Sequence, residues 1–193
     1  MKRVLLSLAF LLVLPMAGHA ETYNLDTQQS QIEWIGKKIT GQHSGTIGLK
    51  SGQITLDGQK ITGGEFVIDM KTIQVLDLQD PAAKQKLTNH LNSDDFFSTA
   101  NNPESQFKIS SIKDLGNHQI EVSGNLTIKG ITHPIQFPAT LSFGGNAVKA
   151  TGSLKLDRTL WNIRYGSGKF FQGLGDKLIS DDFELKLNLL AKK

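Results

Sequence analysis

The stretch IQFPATLSFGGNAVKATGSLKL, Ile135 to Leu156, alternates apolar and polar residues on both sides of one glycine-rich point. Ile135, Phe137, Ala139, Leu141 and Phe143 share a parity before Gly144-Gly145-Asn146, and Val148, Ala150, Gly152, Leu154 and Leu156 share one after it. In a strand, a period of two sends successive side chains to opposite faces, so each arm has an apolar face and a wet one. A turn centred on Gly145-Asn146 pairs Phe143 with Val148, Leu141 with Ala150, Ala139 with Gly152, Phe137 with Leu154 and Ile135 with Leu156. Every apolar residue then opposes an apolar or small one.

The pattern spreads outward from this hairpin. Ile120, Val122, Leu126 and Ile128 hold one parity against Gln119, Glu121, Ser123, Asn125, Thr127 and Lys129. Phe66, Ile68 and Met70 alternate with Glu65, Val67 and Asp69, and Phe183, Leu185, Leu187 and Leu189 with Glu184, Lys186 and Asn188. Gly130 to His133 reads as the connection into the hairpin, opposing Leu126 to Phe137 and extending a meander. One-faced strands belong to antiparallel sheet. One segment departs from the pattern. Asp80-Pro81 pairs an N-cap residue with proline at the first helical position, and Ala83, Leu87 and Leu91 recur every fourth residue, so a short helix over about 81–91 is expected to pack on or plug the sheet. No linker or long-period repeat divides the chain. The expected fold is all-β: a single antiparallel barrel of about eight strands, whose closure removes exposed edges.

Lys2 and Arg3 precede an apolar run from Val4 to Leu14, Pro15 breaks it, and Gly18-His19-Ala20 supplies small residues before Glu21. This is the pattern of a signal peptide over residues 1–20, cleaved before Glu21, which leaves residues 21–193 as one exported domain in the periplasm. The run is too short for the ~20 residues that span a bilayer as a helix.

The chain has 193 residues, 38% hydrophobic and 20% charged, with Lys+Arg 21 against Asp+Glu 18 and a formal charge of +3. Loss of Lys2 and Arg3 with the leader lowers that charge to +1, and the basic residues are spread thinly, so nucleic acid is not an expected partner. Cys 0 excludes a disulfide scaffold, a thiolate nucleophile and a zinc–cysteine site. Gly166-Ser167-Gly168-Lys169 fails as a phosphate loop, because Ile163 stands where glycine is needed and Phe170 where Ser or Thr is needed. His43, His90, His118 and His133 have no metal-ligand spacing, no GxSxG is present, and Asp94-Asp95 and Asp181-Asp182 lack a calcium-loop pattern. No catalytic residue, metal site or cofactor is expected. Asn125-Leu126-Thr127 matches a glycosylation acceptor but sits within a strand.

Inward parity and the aromatic residues mark a candidate apolar lining of Trp34, Phe66, Ile68, Phe107, Leu126, Ile128, Phe137, Leu141, Leu154 and Trp161. A barrel of about eight strands is just wide enough to be filled by side chains or to house one ligand, and parity does not choose between these. Extending the hairpin register sets His133 opposite Arg158 at one rim, and His43 continues the parity of Ile47 and Leu49. Either the strands have ended and these groups are solvated, or His43, His133 and Arg158 form a cationic mouth suited to the head group of an apolar ligand.

The ordered set Tyr23-x-Leu25-Asp26-x4-Gln31-Ile32-x-Trp34, Lys37-Lys38 through His43, Gly63-Gly64-x-Phe66, Ser93-Asp94-Asp95-Phe96-Phe97, Pro103-x3-Phe107, Gly124-x-Leu126-Thr127-Ile128-Lys129-Gly130 and Asp157-Arg158-x2-Trp161-Asn162-x-Arg164-Tyr165-Gly166-x-Gly168, ending in Asp181-Asp182-Phe183, resembles the YceI-like family of exported lipocalin-like barrels. The resemblance covers Glu21 to Lys193. It implies an extended barrel that encloses a long polyisoprenoid, such as an isoprenoid quinone or polyprenyl phosphate, and no catalytic activity. It names no head-group ligands, so the rim residues rest on register alone. The expectation is a periplasmic isoprenoid-binding carrier. A transient membrane-surface contact is compatible with it, and monomer and homodimer both stay open. Two other classes stay open: a lipid-modifying enzyme with His43 or His133 as general base, and an interaction module with no ligand.

Overall fold

A computed structural model describes residues 20–193; the leader segment expected over residues 1–20 lies outside them, save for Ala20. The alternating segments form nine strands and one α-helix: β1 (Ala20–Leu25), β2 (Gln31–Lys38), β3 (Gly41–Asp57), β4 (Lys60–Val75), α1 (Pro81–Asn92), β5 (Glu104–Gly116), β6 (Gln119–Ile128), β7 (Ile131–Gly144), β8 (Ala147–Asp157) and β9 (Ile179–Lys192). All pairings are antiparallel, and β3 joins β4 to close the sheet into an eight-stave barrel. β1 and β2 share one stave between β3 and β9, since both pair with those two strands in the same sense. Asp26 makes the break between them: its carboxylate accepts the N–H groups of Gln28 and Gln29 at 3.2 and 3.0 Å, and its carbonyl accepts that of Ser30 at 2.9 Å. Such local bonds compete with the sheet ladder and favour a turn.

Turn chemistry sets the registers. Asn117-His118 and Lys129-Gly130 have positive φ at both central positions, while Gly145 has φ 57 ahead of Asn146; these are the hairpin turns whose twist matches the strands. The turn at Gly145-Asn146 forms as expected and pairs Phe143 with Val148, Leu141 with Ala150 and Ala139 with Gly152. The ladder then stops, and the expected pairings of Phe137 with Leu154, Ile135 with Leu156 and His133 with Arg158 are not made. Leu141 donates its N–H to His118 on the β6 side, at 2.8 Å, so even-numbered residues of β7 face β8. Pro134 and Pro138 are both even-numbered and have no N–H to give, which removes two of the three β7 donors in the lower half of the β7–β8 seam and leaves only that of Gln136.

The register of β6 on β7 also differs from expectation. Leu126 pairs with His133, and Phe137 pairs with Val122 rather than Leu126. The expected connection began at Gly130, but the turn is Lys129-Gly130 and β7 starts at Ile131. The shift is an even number of residues, so the inward face is preserved.

Asp80 caps α1 by accepting from the N–H groups of Ala82 and Ala83, and Pro81 stands where its missing N–H costs nothing. Leu91 is buried beneath the helix, and the chain continues through Phe96 into the same cluster. The barrel thus has two unlike ends. The hairpin end carries the turns after β3, β5 and β7; the helix end carries the β2–β3 and β6–β7 turns, α1, a 3-10 turn at Arg158–Trp161 and residues 162–178.

Candidate functional site

The inward faces enclose a cavity of about 240 Å³, lined almost wholly by apolar side chains. A dry apolar cavity of about 150 Å³ is enough to hold benzene, so this one has room for a slender hydrocarbon. It runs from Leu141, Val148 and Ala191 near the hairpin end to Leu91, Phe96 and Arg158 at the helix end. Ten residues along β8 at about 3.3 Å each, with a tilt of about 40°, correspond to roughly 25 Å along the axis.

Of the residues read as lining, Trp34, Phe66, Ile68 and Phe107 border this cavity on β2, β4 and β5, and Leu126, Ile128, Phe137, Leu141 and Leu154 on β6, β7 and β8. The Phe107 ring lies 6.5 Å from that of Phe66 and 5.7 Å from that of Phe137, forming an aromatic waist. Gly124 makes room for it: a Cβ there would sit 2.4 Å from Phe107 Cζ. Trp161 is different. It is fully buried outside the lining, its indole N–H donates to the Leu126 carbonyl at 3.2 Å, and its ring meets His133 edge-on at 5.5 Å. It packs under the helix end because the 3-10 turn, not a strand, carries it there. β9 contributes Leu185, Leu187 and Leu189 to the lining; their alternation was the signal that could have placed them in it.

The three rim candidates do not converge. His43 bonds Asp77 through Nδ1 at 2.8 Å, and neither residue lines the cavity. Hydrogen bonds from the Ser44 N–H and His43 hold the Asp77 carboxyl below its ordinary pKa, although burial is the larger single influence and opposes them. His133 bonds the Leu160 carbonyl through Nε2 at 3.0 Å and also lies outside the lining. Arg158 alone borders the cavity, at 4% exposure. The strand has ended there, yet the side chain is not solvated. Its Nε donates to Ser180 O at 2.9 Å, and its two terminal nitrogens donate to Ile163 O at 2.7 Å and Ile179 O at 3.1 Å. The fork thereby ties the start of β9 to the turn after β8. Burial lowers the Arg158 pKa, against the pull of Asp181 and Asp157, and arginine stays charged nonetheless.

One polar lining residue carried no sequence signal beyond parity. Ser105, two residues before Phe107 on β5, is 3% exposed, and its hydroxyl has no partner among the described residues. Buried hydroxyls are normally satisfied, so Ser105 stands out among the polar groups of an otherwise greasy lining, which also include Arg158, Ser180 and Asp182 toward the helix end and Thr151 on β8. Among the described residues no histidine borders the cavity and no group of three metal-ligating side chains occurs. The geometry suits holding an apolar molecule better than proton transfer to one.

Comparison with known proteins agrees with this architecture. Residues 23–191 match the YceI-like domain. A UPF0312 protein of Shewanella denitrificans is 30% identical over 134 residues, 66% of each chain, and one of Vibrio parahaemolyticus is 29% identical over 143 residues, 72% of each. Among solved structures, BcnA of Burkholderia cenocepacia superposes with a TM-score of 0.70 at 23% identity, covering 87% of this chain and 99% of its own. A polyisoprenoid binding domain of Saccharophagus degradans does so with a TM-score of 0.66 at 16% identity, covering 88% and 97%. The barrel, its split first stave and its helix-capped end are thus a variant of a known scaffold, and the chain belongs to the YceI-like family.

Proposed function

We propose that the chain is a binding and carrier protein for a long isoprenoid lipid, acting in the periplasm after removal of residues 1–20. The observation that carries this reading is the long, narrow, apolar cavity with Arg158 and the unpartnered Ser105 hydroxyl toward its helix end. An isoprenoid chain fits that shape, and its single polar end can meet the Ser105 hydroxyl. Burial of a hydrocarbon is favourable by about 0.8 kcal/mol per methylene, reduced by the ordering of the chain. The Saccharophagus neighbour, described as binding polyisoprenoids, supports the same reading. Cleavage before Glu21 leaves that residue at the start of β1, where it pairs with Leu56 and meets Lys193 at 2.6 Å.

Organic extraction of the exported protein followed by mass spectrometry tests the proposal. One isoprenoid per chain is the expected result, and an empty barrel from isoprenoid-producing cells overturns it. Altered lipid products after incubation would favour an enzyme instead. N-terminal sequencing of the exported form is expected to begin at Glu21.

A further inference from the structure

Among the described residues, seven large hydrophobic side chains are exposed, and six of them lie at the helix end: Ile39, Leu76, Leu160, Tyr165, Phe170 and Phe171. The hairpin end exposes Leu115. An uneven distribution of this kind marks a surface that meets something apolar. Three of the six are carried by neighbouring turns. The Ile39 N–H donates to Leu178 O at 3.4 Å, Lys38 pairs with Ile179, and the Ile179 N–H donates to Gly166 O at 2.9 Å. A Cβ on Gly168 would touch Leu178 at 3.1 Å, so the turn bearing Phe170 and Phe171 sits beside the β2–β3 turn bearing Ile39.

The two phenylalanines are held outward rather than left loose. Ser167 is fully buried and its carbonyl accepts the N–H groups of Phe170 and Phe171 at 3.1 and 3.0 Å. Lys169, between them and the barrel, is fastened to Asp157 at 2.6 Å and to Asp181 at 3.6 Å. Phe170 and Phe171 are nevertheless 43% and 50% exposed, and Ile39 is 64% exposed.

The charge around this patch selects its partner. Lys37, Lys38, Arg164 and Lys177 surround it and make no ion pair among the described residues, while Asp176 is the one acidic residue in the segment 162–178. Arg164 lies 4.5 Å over the Phe170 ring, its apolar stem on the aromatic and its charge at the rim. Apolar tips ringed by cations match an interface of acyl chains beneath anionic phosphates. A protein partner of the same chemistry would need a matching acidic, apolar pocket, for which nothing in the fold selects.

We propose that the helix end docks on an anionic lipid bilayer, with Ile39, Phe170 and Phe171 entering the interface and Lys37, Lys38, Arg164 and Lys177 facing the phosphates. Its purpose rests on the carrier reading: docking brings the Arg158 end of the cavity, bounded by Ile179 and Ser180, next to the membrane where an isoprenoid resides. Each basic side chain near an anionic surface strengthens partition about fivefold, so contact is expected to be reversible and salt-sensitive.

Co-sedimentation with vesicles of phosphatidylethanolamine and phosphatidylglycerol tests the docking, whether the barrel is filled or empty. The wild-type protein is expected to bind these at least ~10-fold more strongly than phosphatidylcholine vesicles, and to be released by salt. F170S/F171S and, separately, K37E/K38E are each expected to weaken vesicle binding at least ~10-fold with unfolding temperature unchanged, since all four residues lie on the surface. Absence of wild-type binding overturns the proposal. So does undiminished binding by both variants, or an interaction seen only with a purified protein partner. A chain that carries lipid but does not sediment sinks the docking and spares the carrier; the reverse result sinks the carrier alone.

Discussion

The indole N–H of Trp161 donates to the carbonyl oxygen of Leu126 at 3.2 Å, joining the turn after β8 to β6 across the helix end of the barrel. His133 of β7 reaches the same turn through the Leu160 carbonyl at 3.0 Å, while the prolines of β7 leave the lower half of its seam to β8 unpaired. Trp161→Ala is expected to destabilise the protein by about 3–5 kcal/mol through the cavity it leaves, and Trp161→Phe by about 1 kcal/mol through the lost hydrogen bond. Urea unfolding measures both. An alanine variant within about 1 kcal/mol of wild type would show that the turn is not anchored by this side chain.

Arg158 holds three backbone carbonyls that no other side chain reaches among the described residues. Arg158→Met is expected to destabilise by about 3–5 kcal/mol, because three buried carbonyls lose their donor and Asp181 loses one of its two cations. Arg158→Lys is not expected to restore the loss, since an ammonium cannot reproduce the planar fork. A lysine variant with wild-type urea midpoint contradicts this. Ser105→Ala is the gentler probe of the polar end: stability should hold or rise as an unpaired buried hydroxyl is removed, while head-group selectivity among extracted lipids changes.

Leu185 faces the cavity, whereas its neighbour Lys186 is exposed on the other face of β9. Leu185→Trp is expected to lower bound lipid at least ~10-fold by filling the interior, and Lys186→Trp to leave it unchanged. Lipid extraction from the two folded variants decides the matter; equal lipid content would mean that the ligand lies elsewhere.

Asp157 caps the 3-10 turn through the Thr159 N–H and pairs with Lys169 at 2.6 Å. Burial pushes its pKa up, but the bonds from Lys169 and Thr159 outweigh it and the folded value lies below the ordinary 3.8. A depressed folded value means that Asp157 contributes stability above pH 3.8, and that this is lost as pH falls through the folded pKa. Asp157→Asn should therefore be less stable than wild type at neutral pH, with the gap closing below pH 3.8. A constant gap down to the acid limit argues against the ion pair and cap as its source.

The β7–β8 seam predicts a local pattern of hydrogen exchange. The N–H groups of Gln136 and Lys155 share the inter-strand edge of Thr140 and Thr151 but lie below the last pair, Ala139 with Gly152. They are expected to exchange faster than those of Thr140 and Thr151. Equal protection would mean that the ladder continues past Pro138.

Periodicity carried most of the barrel. Alternation is a local property, so the inward faces of β4, β6, β7, β8 and β9 could be read from residues such as Phe66, Leu126, Leu141, Leu154 and Leu185, and the helix from Asp80-Pro81. An error of four in pairing Leu126 left its face unchanged, because parity survives any even shift. The polar groups were less legible. The expected site for His133 and Arg158 assumed that two strands stay paired to their ends, and the edge that Pro134 and Pro138 present to β8 depends on the partner strand.

Residue order alone determined the one-sided strands, the turn at Gly145-Asn146 and the capped helix, since each rests on neighbours within a few positions in the chain, and the family resemblance, which rests on the order of short motifs along it. Only the tertiary structure decided that the interior is hollow, that Arg158 binds Ile163, Ile179 and Ser180, that His43 turns to Asp77, and that Phe170 and Phe171 stand out beside Ile39. Those outcomes depend on closure of the sheet and on the volume left between distant side chains, quantities that no short window of sequence contains.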